Sequence, residues 1–234
     1  GILILKRKNR AIFRFNRAYA MHGLKFGIPL IPHSLALILN TSIGRIFISH
    51  MVGIADTGLY TVGFQIGSII SLFAAAFNQA YVPWLYKRLN LDSMPEKRKI
   101  VRLTYSYFAV ITVCAVGLSI LAPLAMTVLV GREFQGSSVY VVWIALGYAF
   151  HGMYLMVVNY IFYAEKTHLL AIATMAGSLL NVVLNYVFIK MNGAVGAAQA
   201  STLTYLFTFL FVWYLSSRVY SMPWAIFSKT ANEA

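Results

Sequence analysis

Acidic residues are what this chain has least of. Six Asp and Glu stand against nineteen Lys and Arg in 234 residues. The six are Asp56, Asp92, Glu96, Glu133, Glu165 and Glu233, and all lie at the ends of apolar runs, between them, or in the last residues. No carboxylate therefore sits in the middle of a run, where proton- and cation-coupled carriers often keep one. The single cysteine, Cys114, excludes a disulfide framework and reads as a small buried hydrophobe. No metal-ligand spacing, nucleophile–base pair or phosphate-cradling glycine loop is present, so the sequence reads as a non-enzyme without cofactor or metal. Charge is scarce overall, at 11% against roughly 25% in soluble domains.

What the chain has is long apolar runs. Hydrophobic residues make up 60% of it, and the mean hydropathy is +0.73. Between charged residues the runs are 26–44, 57–86, 103–131, 134–164, 167–189 and 191–217. About 20 helical residues cross a ~30 Å hydrocarbon core, and only helices and closed barrels hide their backbone polar groups in lipid. Runs this long and continuous predict an all-α, polytopic membrane protein, a bundle of six transmembrane helices. The spans are expected at about 27–51, 57–84, 103–127, 139–163, 168–190 and 195–217. Residues 1–25 read as a basic linker and 218–234 as a tail, both cytoplasmic, on either side of a bundle over 26–217.

The basic residues alternate with the spans. If the N-terminus is cytoplasmic, sixteen of the nineteen Lys and Arg fall on that side. Arg132 and Lys190 fall on the other, and Arg45 falls inside a span. Positive-inside bias thus places both ends in the cytoplasm. The net charge of +13 does not indicate nucleic acid, because it flanks apolar spans and forms no compact basic surface. The mixture of basic and aromatic residues over 6–25 fits an interfacial amphipathic helix on anionic lipid as well as it fits positive-inside charge alone. The first residues, Gly1-Ile2-Leu3-Ile4-Leu5, resemble the end of an earlier helix and suggest a fragment.

Polar residues inside the spans form stripes. His33, Ser34, Asn40, Thr41 and Arg45 occupy about a third of the first helix's circumference. Thr61, Gln65, Ser68 and Gln79 lie in the second span. Tyr148, His151, Asn159 and Tyr163 share a face of the fourth, and Thr174, Ser178, Asn181 and Asn185 a stripe of the fifth. Lipid offers such groups no partners. They therefore face either other helices, as interhelical hydrogen bonds, or a wet cavity. Arg45 has two readings: a fork for an anionic substrate, or a side chain snorkelling to headgroups. His33 and His151 read as phosphate contacts or as neutral, hydrogen-bonded histidines. Gly63 and Gly67, at GxxxG spacing, and the small-residue run 193–202 mark close helix approach within the bundle.

Several segments together resemble a known family. They are Gly-Ile-Pro-Leu-Ile-Pro-His at 27–33 with Leu39, Asn40 and Arg45, and Gly58-Leu59-Tyr60 with Ala76-Phe77-Asn78 and Ala80-Tyr81-Val82-Pro83. Asn181 to Asn185 and the Gly-Ala-Ala-Gln-Ala-Ser run at 196–201 complete the set. In order and spacing they resemble helices seven, eight, eleven and twelve of O-antigen flippases, polysaccharide transporters of the multidrug/oligosaccharidyl-lipid/polysaccharide exporter superfamily. Many relatives carry an Asp-Arg pair where this chain has Gly44-Arg45, which puts in doubt any role that needs the ion pair.

The resemblance implies one half of a twelve-helix transporter in the bacterial inner membrane, completed by an N-terminal six-helix half. Its cargo would be an undecaprenyl-pyrophosphate-linked oligosaccharide, moved by alternating access for O-antigen or other surface polysaccharide. Arg45, His33 and His151 would then meet phosphate, and Asn40, Gln65, Asn159, Asn181 and Asn185 sugar hydroxyls. The alternatives are a multidrug exporter or lipid II flippase of the same superfamily, or a non-transporting membrane scaffold or partner subunit.

Overall fold

The computed structural model describes residues 17–225, without the side chains of residues 18, 22, 36, 37, 39–41, 129 and 132. The first sixteen residues of the expected linker and the last nine of the tail lie outside it. Within it the chain is all-α. The helices are α1 (Arg17–Gly27), α2 (Leu30–Met51), α3 (Ile54–Gly67), α4 (Ile69–Leu89), α5 (Met94–Leu129), α6 (Ser138–Tyr163), α7 (Thr167–Asn192) and α8 (Ala194–Val219). A short 3-10 turn, Arg132–Ser137, precedes α6. Five helical segments are long and apolar enough to cross a membrane: Ile54–Leu89, Met94–Val128, Glu133–Tyr163, Thr167–Asn192 and Ala194–Val219. The first expected span corresponds to α2, whose 22 residues measure about 33 Å and which is not counted among the five.

α6 is the hub. It buries sixteen of its 26 residues and packs against α3, α4, α5 and α8, while α7 bridges α8 and α2. The peripheral helices turn apolar side chains outward instead. Val113, Ile120, Leu124 and Val128 of α5 and Ile172, Leu179 and Val183 of α7 are all more than half exposed. Such surfaces are solvated by lipid, not water.

Two features depart from simple spans. The second is broken near its middle: α3 ends at Gly67 and α4 begins at Ile69. Ser68 and Ser71 turn their hydroxyls back onto the carbonyls of Gln65 and Ser68, at 2.8 and 2.6 Å. This back-bonding bends helices. The two halves then settle on different stretches of α6. Gly63 and Gly67 give α3 its close fit, since an added Cβ would lie 2.8 Å from Tyr140 Cβ and 2.7 Å from Ile144 Cγ2. The other departure is in the loop expected over 87–102, which is helical from Met94 onward. Ser93 caps that helix in an extended conformation, Pro95 sits in its first turn, and Glu96 meets the positive end of its dipole.

The α7–α8 hairpin has almost no loop. Gly193 alone turns the chain, at φ +61 and ψ −147, a conformation that only glycine adopts without strain.

Candidate functional site

Near the end of α2, Arg45 reaches toward α3. Its guanidinium carbon lies 4.5 Å above the centre of the Phe64 ring, a cation–π contact. Its Nε is buried and makes no hydrogen bond among the described residues. Gly44 beside it lets α2 close onto its neighbours. A Cβ at that position would stand 3.2 Å from the Tyr60 hydroxyl and 3.4 Å from Asn185 Oδ1. An aspartate at 44 would project into these two groups. The space the acid would need is held here by a phenol and an amide, both neutral.

Behind Phe64 the aromatic contacts run on. Phe64 meets Tyr148 edge-on at 5.9 Å, and Tyr148 meets Tyr205 at 5.6 Å. His151 stacks on Tyr154 at 5.5 Å and leans on Tyr205 at 5.3 Å. Tyr60 supports the start of the row through Phe64 and through Tyr140. These contacts tie α2, α3, α6 and α8 together around the arginine. The polar-stripe reading did not single out Tyr60, Phe64, Tyr154 or Tyr205. The signal for two of them was the i, i+4 spacing of Tyr60 and Phe64, which sets both rings on one side of α3.

The other expected site residues divide by environment. His33 is buried, with Nδ1 3.2 Å from the Thr174 hydroxyl of α7. That hydroxyl also lies 2.7 Å from the Leu170 carbonyl and 3.3 Å from the Ala171 carbonyl. Asn159 donates to Asn78 Oδ1 at 2.9 Å, joining α6 to α4, and to the Leu155 carbonyl at 2.7 Å. Asn181 donates to Thr204 of α8 at 3.0 Å. Asn185 in turn donates to Asn181 Oδ1 at 3.1 Å. These amides and His33 thus engage partners on other helices or one turn away.

Gln65 is exposed on α3 and Gln79 on α4, with Ser68 between them half-buried. Gln65 adjoins Phe64 in the chain, whereas Gln79 lies fifteen residues beyond it, roughly 20 Å further along the helical path. The backbone places Asn40 on α2, one turn before Arg45; its side chain is outside the described residues.

The end of the bundle that carries the α4–α5 loop is charged and aromatic. Glu96 pairs with Arg88 and, at 2.7 Å, with Lys99. Asp92 pairs with Lys97 at 2.6 Å, and Lys97 also lies 5.2 Å over the Tyr220 ring. The Lys97 hydrogen bond, reinforced by its charge, holds the exposed Asp92 carboxyl below the usual carboxylate range. Residues 220–225 return over this end, where Tyr105 donates to the Trp224 carbonyl at 3.0 Å and Trp224 packs on Trp213 at 5.4 Å.

Comparison with known proteins follows the same direction. Residues 1–88 match the family model for polysaccharide biosynthesis proteins. A protein of the Lsg locus of Haemophilus influenzae is 27% identical over 174 residues, covering 73% of this chain and 42% of that protein. An uncharacterized membrane protein of the same organism is 29% identical over 168 residues, covering 71% of this chain and 41% of that protein. The chain thus spans about two fifths of the length of these relatives. No solved structure matches it significantly. The matches support the resemblance read from the sequence, to membrane proteins of a polysaccharide flippase-like family.

Proposed function

We propose that this chain is one bundle of a transporter that carries a lipid-linked oligosaccharide, joined to its lipid through pyrophosphate, across the bacterial inner membrane. The observation that carries the reading is Arg45. It is a permanently charged side chain inside an apolar helix, held by an aromatic face, with a buried Nε that no described residue satisfies. A half-buried guanidinium whose Nε is buried without an acceptor is costly, and an arriving phosphate would supply both a counter-charge and the missing acceptor. The exposed Gln65, next to Phe64 in the chain, and Gln79 further along α4, together with Asn40, are donors and acceptors suited to sugar hydroxyls. His33, His151, Asn159, Asn181 and Asn185 form the layer behind, holding the helices that present this face.

A polar cargo cannot cross hydrocarbon unaided. The exposed amides on α3 and α4 would meet a second helical bundle, and rocking of the two bundles would open the site to each side in turn. Both ends of this chain would be cytoplasmic under the positive-inside rule. The test is complementation. The gene encoding this sequence, placed in a strain lacking its own polysaccharide flippase, restores surface polysaccharide. Protein present in the membrane without restoration, across hosts with several repeat-unit sugars, removes the reading.

A further inference from the structure

A second feature of the bundle has no part in that site. α4 and α5 both pack on α6 but diverge from each other along the membrane. Between them runs an apolar groove of about 470 Å³, with Ile70, Phe73 and Phe77 on one wall and Leu103, Val110 and Cys114 on the other. Its floor is closed: an added Cβ on Gly152 of α6 would lie 2.4 Å from Ile111 and 2.9 Å from the Tyr107 hydroxyl. Its side is open to lipid, with Phe73 67% and Val110 60% exposed, and Cys114, expected from the sequence to be buried, is exposed at its inner end.

The groove has a defined depth and a charged end. From Leu103 to Cys114 is eleven residues, about 17 Å along α5 and so roughly half of the ~30 Å hydrocarbon core. It is one leaflet deep, and it starts on the side of the α4–α5 loop, immediately after Arg102. That loop and the first turns of α5 hold six basic residues and two acidic ones between Lys87 and Arg102. Both acids are occupied, Glu96 by Arg88 and Lys99 and Asp92 by Lys97. Arg98 and Arg102 are exposed, and neither has an acidic partner among the described residues. Arg88 is fixed over the Trp84 ring at 4.6 Å, at the level where an interfacial aromatic belongs.

We infer that this groove is a binding site for one anionic glycerophospholipid of the leaflet on the basic-loop side. An acyl chain lies in the groove, and the phosphate sits at Arg98 and Arg102. The depth favours a chain confined to one leaflet over a long polyprenyl tail, which would run past the inner end at Cys114. The charge favours an acidic headgroup, because two unpaired guanidinium groups at the interface attract phosphate. The inference does not rest on the transport reading, since none of these residues contributes to the Arg45 face.

The test is native mass spectrometry of the full chain released from micelles, offered equal amounts of phosphatidylglycerol, phosphatidylethanolamine and a polyprenyl phosphate. One phosphatidylglycerol is expected to be retained in preference to the others. Each arginine at the interface accounts for about a fivefold change in retention, so R98Q/R102Q loses most of the preference. Ala76→Phe, which fills the groove, lowers retention of every lipid. The double variant alters only exposed side chains and keeps the test open if the filled groove misfolds. Equal retention of phosphatidylethanolamine, preferential retention of the polyprenyl phosphate, or an unchanged preference in R98Q/R102Q overturns the inference.

Discussion

At the scale of single residues, Arg45 is the centre of the proposed site: its guanidinium lies over the Phe64 ring and its buried Nε has no partner among the described residues. If Arg45 meets phosphate through its planar fork, Arg45→Ala abolishes surface polysaccharide at unchanged protein abundance. Arg45→Lys restores only part of it, since an ammonium keeps the charge and loses the fork. Full activity of Arg45→Ala would separate the residue from the cargo.

A limit of periodicity explains the polar stripes. Asn159 and Asn181 lie on polar faces that a helical wheel cannot assign to a cavity or to another helix, and the structure gives Asn159 to Asn78 and Asn181 to Thr204. A double-mutant cycle on Asn181 and Thr204 should yield a coupling of about 0.6 kcal/mol, with ~1.7 as the upper bound, read from unfolding in detergent. The glycines were more legible, because GxxxG spacing already implied close packing. Gly67→Val drives carbon into the Ile144 side chain and should cost about 1–3 kcal/mol. Gly58→Ala, with nothing within 4 Å of the added carbon, should leave thermal stability at or above its original value. Equal effects at the two sites would refute the packing described for α3.

At the scale of elements, helix positions were the readable part, because a fixed hydrocarbon thickness demands a minimum apolar length. The break at Ser68 was not readable. Neither Gly67 nor Ser68 stops a helix by itself, and the back-bonding of the Ser68 and Ser71 hydroxyls that accompanies the bend is not fixed by residue type alone. The helical start of α5 was hidden for a different reason: its charges look like a loop, yet Ser93, Pro95 and Glu96 form a helix start.

The strap over the bundle's end belongs to this scale as well. The folded carboxyl of Asp92 titrates below its unfolded value, ~3.9. The Asp92–Lys97 contact therefore adds stability above that pH and loses it as pH falls through the lower, folded value. Acidification below about 4 should loosen residues 220–225 and shift Trp224 emission. Asp92→Asn should show the loosened spectrum at neutral pH, and Asp92→Asn combined with Glu96→Gln should show no acid step, because Lys99 and Arg88 hold the Glu96 carboxyl low as well. An acid step that persists in the double variant would place the titration elsewhere.

At the scale of the whole molecule, one hub helix, α6, organises a bundle with an apolar surface that belongs in lipid. Set into the bundle are the Arg45 charge on α2 and the exposed amides of Gln65 on α3 and Gln79 on α4, which lipid cannot satisfy. That contrast is the physical ground for reading the chain as part of a machine with a polar path. The most direct measurement is the leaflet distribution of the lipid-linked oligosaccharide in cells whose own flippase has been removed and which express the gene for this sequence. Sugar exposed on the periplasmic face, read by a membrane-impermeant lectin on spheroplasts, should rise with expression and return to background with Arg45→Ala. An unchanged distribution, with the protein present in the membrane, would contradict the account.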